Sequence, residues 1–481
     1  MSTTGQGQAQ RGLGRDTILA LAAMGLGVFV VANDFTALSV AIPEIERDVD
    51  TDLTTAQWVI NGYALVFGVL IVTGGRLADL FGRKRIFVIG AVIFAVFSLL
   101  AGLAPEAYLL ILCRMLMAVG GALMWPAILG MTYALLPADK AGLAGGLILG
   151  VAGFGNAVGP LFGGFLTDAL SWRWVFFVNL PIAAFAIFVT YRKVPESRAD
   201  SAERRIDYPG IAILTGGVVA ILLALDDGPS RGFTDPLIIV LFAAGAALLV
   251  VFGFVERRQG DAALVPPDVL ANRVFTSACL TVLLISAIFF SALLYLPQFM
   301  SKGLGYSALT SGAGLLPLMG TFALTSFVAG PLYNRLGAKP IVSAGAAFLG
   351  LGIFLLSFIE SDSDYMSLVP GMIVLGIGVG LFYSSITTAA VTALDPSRSS
   401  LAGGIVYMFQ IAGGAVGLGL NTAIVTSAAS LTAGIAIAFR IDAALAVAGF
   451  LVALLFVSGS ATTGDAKATS TKHHRFHRAH A

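Results

Sequence analysis

The sequence predicts an all-α membrane protein in which two six-helix bundles flank an inserted helix pair, fourteen transmembrane helices in all. Three observations carry this. The 481 residues are 57% hydrophobic and 11% charged, against about 25% charged in soluble domains, and the mean hydropathy is +0.91. A particle of this size has no interior large enough to hide so much apolar surface, so lipid must be the solvent for most of the chain. Apolar runs long enough to cross a bilayer recur along the whole length, and the two halves repeat each other. The same composition excludes other classes. A net charge of +1 gives no broad electrostatic footprint for nucleic acid. Cys113 and Cys279 both sit in apolar runs, which leaves neither a disulfide framework nor a thiolate metal site. All four histidines, His473, His474, His477 and His480, fall in the polar C-terminal segment, so buried histidine chemistry is excluded.

A membrane helix needs about 20 predominantly apolar residues. In chain order this places spans at 17–42, 56–80, 86–104, 108–135, 141–168, 174–191, 208–225, 235–255, 274–299, 309–333, 340–358, 366–390, 400–426 and 441–458. The first run is about 26 residues long, beyond the 7–15 residues of a signal-peptide core, and reads as a retained helix. With the N-terminus inside, 22 Lys and Arg residues fall in inner segments and five (Arg47, Arg173, Arg231, Lys302 and Arg440) in outer ones, with Arg114 inside a helix. A miscounted helix would mix the two sets, so the separation supports an even number of spans and two cytoplasmic termini. The expected organisation is a cytoplasmic tail 1–16, an N-terminal bundle 17–191, a cytoplasmic loop 192–207, inserted helices 208–255, a second cytoplasmic loop 256–273, a C-terminal bundle 274–458 and a cytoplasmic tail 459–481.

The string Leu143-Ala144-Gly145-Gly146 recurs as Leu401-Ala402-Gly403-Gly404, and at the same offset of 258 residues Ala157-Val158-Gly159 recurs as Ala415-Val416-Gly417. At an offset of 255, Leu77, Asp79, Gly82 and Lys84 align with Leu332, Asn334, Gly337 and Lys339. Both halves start inside, so they are parallel repeats about an axis along the membrane normal, the symmetry of a transporter that rocks about a central site. Gly150, Gly153, Gly155, Gly159, Gly163 and Gly164 on helix 5, and Gly413 and Gly417 on helix 13, have the small-residue spacing of close helix contacts. Pro160 removes a backbone hydrogen bond and can kink its helix. Spacing alone leaves tight packing and gating as equal readings of these residues.

The loop Gly75-Arg76-Leu77-Ala78-Asp79-Leu80-Phe81-Gly82-Arg83-Lys84-Arg85 resembles the signature loop of the major facilitator superfamily. Gly155-Asn156-Ala157-Val158-Gly159-Pro160 through Gly163-Gly164 resembles the glycine/proline motif of that superfamily's antiporters. Three further strings are similar to marks of its fourteen-helix drug/proton antiporters: Trp172-Arg173-Trp174 through Asn179-Leu180-Pro181, Asp34-Phe35-Thr36 through Val40-Ala41-Ile42-Pro43, and Asp207-Tyr208-Pro209-Gly210. The resemblance implies a major facilitator fold and export driven by proton entry. It also implies that Asp79 caps a neighbouring helix starting near Ser399 and Ser400 and holds the cytoplasmic gate shut, together with Gly75, Gly82, Arg83 and Lys84. Departures are Leu80 for a basic residue, Ser39 for Asn, Met117-Ala118 for the Gln-Gly that follows the helix 4 arginine, and Asn334 for the second loop's Asp.

Two charges are expected well inside the hydrocarbon, Asp34 on helix 1 and Arg114 on helix 4. An ionisable residue at that depth costs at least ~2.5 kcal/mol to insert and normally faces a functional cavity. Asp34 is the expected proton carrier, with Arg114 tuning it. The competing readings are an Asp34 hydrogen-bonded to Thr36 or a neighbouring helix, and an Arg114 satisfied by backbone carbonyls. Arg83, Lys84 and Arg85 equally suit inside-positive anchoring. In the resembling fold helices 1, 4, 9 and 12 face the centre, which nominates Tyr295, Gln298, Tyr383 and Ser384 as cavity contacts. Trp58, Asn61 and Tyr63 on helix 2, with Tyr407 and Gln410 on helix 13, are candidates for the approaches to it, although aromatics near helix ends also serve as interface anchors.

The function expected is proton-coupled export of hydrophobic small molecules such as drugs or antibiotics by a monomer in the plasma (inner) membrane, with no cofactor and no metal. A proton symporter importing a solute is the alternative, followed by a non-transporting sensor or scaffold. No nucleophile, carboxylate pair or ligand cluster at an interface suggests an enzyme. The tail from His473 to Arg478 suits solvation, a metal or anionic lipid.

Overall fold

The computed structural model describes residues 14–198 and 206–457. Among these residues, fourteen helices are long and apolar enough to cross a membrane. They are α1 (Arg15–Ala37), α2 (Leu53–Phe81), α3 (Arg83–Gly102), α4 (Ala107–Leu135), α5 (Ala141–Ala169), α6 (Asn179–Lys193), α7 (Tyr208–Arg231), α8 (Pro236–Gln259), α9 (Arg273–Lys302), α10 (Leu316–Leu336), α11 (Ala338–Leu356), α12 (Tyr365–Thr392), α13 (Ser399–Ser427) and α14 (Leu431–Phe456). Short helical turns, Trp174–Phe177 and Ala308–Ala313, lengthen the α6 and α10 crossings. Polar side chains start several of the helices by accepting from otherwise unpaired N–H groups. Asp52 accepts from the Thr55 N–H at 2.8 Å, Asn272 from Val274 and Phe275 at 3.1 Å, and Asp364 from Ser367 at 2.9 Å. The end of the molecule holding Arg83, Lys84, Arg85, Lys140 and Arg398 is termed the basic face.

Each repeated glycine helix crosses to the other half. α5 packs against α10 and α12, and α13 packs against α2 and α4. Small residues permit the approach. A Cβ on Gly146 would lie 2.7 Å from the Ser326 carbonyl oxygen of α10, and one on Gly404 would lie 2.7 Å from the Ile71 carbonyl oxygen of α2. Toward the opposite face both helices lean on the first helix of their own half. Gly159 and Gly163 abut Thr36 and Ala37 of α1, and Gly413 and Gly417 abut Leu283 and Ala287 of α9. Pro160 leaves the Asn156 carbonyl without its helical donor, and the Thr36 hydroxyl, 3.3 Å from both that carbonyl and the Asn33 carbonyl, stands where it can donate to it. Pro160 is thereby accommodated in an α5 that remains one helix.

The inserted pair α7 and α8 lies outside the two bundles, with α7 against α13 and α2. Asp207 joins its ends at the basic face, accepting from the Gly210 N–H and from Gln259 Nε2, both at 2.8 Å. Val240, Val250 and Phe254 of α8 are exposed, as suits a surface solvated by acyl chains.

One expected span needs correction. The apolar run predicts helix 14 at 441–458, whereas α14 begins at Leu431, where Ser430 Oγ accepts from the Ala433 N–H at 3.2 Å. Arg440 and Asp442 therefore lie within the helix. Their spacing reads as a polar break in sequence, but the buried Asp442 is tolerated because Asn421 on α13 meets it. Arg440 leaves the outer loops, and the charges at depth include a third residue, Asp442.

Candidate functional site

Asp34 and Arg114 come together in the N-terminal bundle, both fully buried. Arg114 Nη1 lies 2.5 Å from Asp34 Oδ2, and Arg114 Nε donates to the Val59 carbonyl of α2 at 2.9 Å. The guanidinium also lies over the Tyr63 ring, 4.2 Å from its centroid, a cation–π contact in a water-poor setting. The Met117 thioether occupies the space beside it, 3.5 Å from Nη1. On the other side Asn179 Nδ2 approaches Asp34 Oδ1 at 3.5 Å and donates to Ser98 Oγ at 3.1 Å, and Ser98 donates to the Phe176 carbonyl at 2.8 Å. The network draws on α1, α2, α3, α4 and α6. Thr36 takes no part, since its hydroxyl faces the α5 carbonyl.

Next to this pair an aromatic seam crosses from one half to the other. Tyr63 packs with Phe35 and Phe67 at centroid distances of 4.9 and 5.9 Å, Phe67 meets Tyr407 of α13 at 5.7 Å, and Tyr407 meets Trp125 of α4 at 4.8 Å. Tyr63, expected on an approach to the cavity, is thus fully buried against the Arg114 guanidinium. In the C-terminal half Tyr383 bonds Ser286 at 2.8 Å and Tyr295 bonds Thr422 at 2.7 Å. The Oη of Tyr63 and the Oγ atoms of Ser384 and Ser385 are buried without partners. Gln410 is buried, and Trp58, Asn61 and Gln298 are half-buried with side chains outside these networks.

At the basic face Asp79 accepts from the backbone N–H groups of Ser400 and Leu401, at 3.3 and 2.8 Å, at the start of α13. Arg83 pairs with the same carboxylate at 2.9 Å and donates to the Pro396 and Gly130 carbonyls at 2.7 and 3.3 Å. A carboxylate at a helix N-terminus is favoured by the helix dipole, and the arginine offsets its burial. Gly75 lets α2 reach this close, because a Cβ there would fall 2.5 Å from the Ser400 carbonyl oxygen. Gly82 sits at φ +111°, and a Cβ there would also meet the Glu196 carboxylate at 2.7 Å. That carboxylate accepts from the Lys84 and Arg85 N–H groups at 3.0 and 3.1 Å. Lys84 turns its amine toward the Tyr191 ring of α6. The matching contact in the other half is Asn334 Oδ1 accepting from the Gly142 N–H at 2.9 Å, at the start of α5. Both contacts tie the two halves together at the basic face. Beside them, at the same face and between the halves, lies an open vestibule of about 680 Å³ lined by Arg83, Tyr133, Pro137, Asn272, Tyr333 and Pro396 among others, with Tyr133 bonded to Thr388 at 3.0 Å.

The family model for the Major Facilitator Superfamily matches residues 24–324 and 318–478. The chain belongs to this superfamily. Within it the chain is 36% identical over 403 residues to the puromycin resistance protein pur8 of Streptomyces alboniger, covering 82% of this chain and 79% of that one. It is 33% identical over 417 residues to the multidrug resistance protein Stp of Mycobacterium tuberculosis, covering 86% and 76%. The tetracenomycin C resistance and export protein of Streptomyces glaucescens is 29% identical over 408 residues, covering 85% and 75%. The fold matches the crystal structure of the human organic anion transporter MFSD10 with a TM-score of 0.66 at 14% identity, over 91% of this chain and 99% of that one. A transporter family and helices that span the bilayer make this an integral multi-pass membrane protein.

For a major facilitator protein, several residues stand at the centre that sequence reasoning did not single out. Asn179 closes the Asp34 network and had a signal, since it lies in the Trp172–Pro181 string. Phe67 and Trp125 build the seam but sit in uniformly apolar helices, where no face is marked. At the opposite face Trp172 Nε1 donates to Asp48 at 3.1 Å and Arg173 pairs with the same carboxylate, which the Arg173 hydrogen bond holds below its ordinary range. The histidine-rich tail lies outside the described residues.

Proposed function

We propose that this protein exports hydrophobic drugs or antibiotics by alternating access in exchange for protons, with its basic face and both termini in the cytoplasm. The observation that carries the reading is the buried Asp34–Arg114 pair set beside an aromatic seam between the two bundles. Relatives named for puromycin, multidrug and tetracenomycin C resistance support the substrate class. With the pair intact both charges are neutralised inside the protein. A proton arriving from outside on Asp34 breaks the ion pair and frees the guanidinium, whose remaining neighbours are the Val59 carbonyl, the Met117 thioether and the Tyr63 and Phe176 rings. Substrate and proton then compete for the same region, so loading one expels the other. Closure on the cytoplasmic side through Asp79 and Asn334 keeps the two sides from opening together. No cofactor is required, because a proton returning across 100 mV supplies ~2.3 kcal/mol and each pH unit about 1.4 kcal/mol.

Inverted membrane vesicles with an acidic lumen test this directly. Adding puromycin is expected to release protons in proportion to protein and substrate. A scaffold gives no substrate-dependent flux, and a symporter carries protons in the substrate's direction; either result overturns the exchange reading.

A further inference from the structure

Asp442 lies in the interior of α14, fully buried. Its Oδ1 and Oδ2 stand 3.0 and 2.9 Å from Asn421 Nδ2 of α13, which is also 2.7 Å from Ser291 Oγ of α9. One turn along, Tyr295 of α9 bonds Thr422 of α13, so the two helices are tied twice at this level. Among the described residues no cation answers the acid. The helices packed on α14 are α9, α11 and α13. Their charged residues are Arg273 and Lys302 at the two ends of α9 and Lys339 in the first turn of α11, and α13 has none. Arg440 shares α14 with Asp442, but its side chain is exposed. Asp34, by contrast, has Arg114 within 2.5 Å.

A buried carboxyl group without a counter-charge is held as the neutral acid, because the charge has neither water nor a cation to stabilise it. The surroundings fit that form. Asn421 Nδ2 has two hydrogens and faces three oxygens, while its own Oδ1 is buried with no donor. A half-turn of the amide sets Oδ1 against the carboxyl group, where the acid O–H donates to it.

We propose that Asp442 is a second proton-binding site, filled in the conformation seen here and emptied during each transport cycle. On opening, the proton passes from the carboxyl O–H to water, and Asn421 Nδ2 and the Ser291 hydroxyl then hold the carboxylate. α13 links this event to the gate, since the same helix carries Asn421 and, at its other end, the N–H groups capped by Asp79. This inference rests on the proton-exchange reading. Two protons enter per cycle, so export of a monovalent cation moves net charge.

Reconstituted protein with ethidium as the monovalent probe tests it. Wild-type transport is expected to respond to both a pH gradient and an imposed membrane potential. Asp442→Asn is expected to halve the proton-to-ethidium ratio and to lose the response to potential while keeping the response to pH. Wild-type transport that ignores potential, or an Asp442→Asn variant with the wild-type ratio, overturns the second site and leaves proton exchange standing. Absence of any proton-driven transport in the wild type overturns both. If Asp442→Asn does not fold, infrared spectroscopy of the wild type decides, with Asp442→Glu to assign the band. A protonated-carboxyl C=O stretch that moves in the Glu variant supports the site, and its absence overturns it.

Discussion

Asp79 and Asn334 occupy matching positions in the two halves and do matching work with unequal means. Each caps the first N–H groups of a glycine-rich helix from the opposite half, at 2.8 Å to Leu401 and 2.9 Å to Gly142. Asp79 adds an ion pair with Arg83, whose guanidinium continues to Gly130 and Pro396, whereas the residue matching Arg83 is Ala338. The same asymmetry recurs at depth, where Asp34 has Arg114 and Asp442 has an amide and a hydroxyl. At these two levels the N-terminal half holds its acid in an ion pair, and the C-terminal half uses an amide cap and an acid met by an amide and a hydroxyl. Backbone symmetry sets where the bundles touch, and side-chain charge sets how strongly each contact responds to protons.

The comparison breaks most readily at Asp79. Asp79→Ala leaves Arg83 buried and unpaired, a change that costs roughly 3–5 kcal/mol. The expected result is loss of uphill efflux with a lowered Tm in detergent; normal efflux would mean that the Asp79 side needs no ion pair. Gly75→Ala and Gly142→Ala come next. A Cβ on Gly75 meets the Ser400 carbonyl oxygen at 2.5 Å, and one on Gly142 meets Asn334 Oδ1 at 2.6 Å, and overpacking of this kind costs typically 1–3 kcal/mol. Both variants are expected to raise labelling of residues lining the vestibule by a water-soluble thiol reagent, read on introduced cysteines, and by similar amounts. A response confined to one of them would show that the two contacts do not close together.

Asn334→Ala removes a neutral cap, a loss of roughly 0.5–2 kcal/mol. Efflux slowed several-fold but not abolished is the expected outcome in the same assay. An effect as large as that of Asp79→Ala would erase the proposed inequality. The smallest effect is expected at the opposite face, where Asp48 is held by Arg173 and Trp172. Its folded pKa lies below the ordinary value of about 3.9. Its contribution is therefore complete above that value and fades as pH falls through the lower folded one. The ion pair is partly exposed, so Asp48→Asn should shift Tm by only a degree or two at neutral pH, and the shift should vanish in acid. A Tm difference that grows below pH 4 would contradict the sign.

Much of this was legible before any coordinates. Fourteen apolar runs mark the fourteen helices, because lipid punishes any charge placed between faces. The approach of Asp79 to the start of α13, where it meets the Ser400 and Leu401 N–H groups, was readable through the resemblance that the signature loop carries. Asp442 was not, since Arg440 and Asp442 two residues apart look like the end of a span, and only the cap at Ser430 shows that the helix has already begun. Nor was the seam of Phe67, Trp125 and Tyr407 legible. In helices apolar all round, periodicity marks no inner face, and the packing of α13 across the halves selects it.

The most direct test of the account is uphill efflux by Asp34→Asn, with correct insertion verified. Arg114 keeps a polar neighbour in this variant but no titrating partner. The account predicts that substrate exchange down its own gradient persists while accumulation driven by the proton gradient is lost. Uphill efflux that survives the substitution and still collapses with the proton gradient would contradict it.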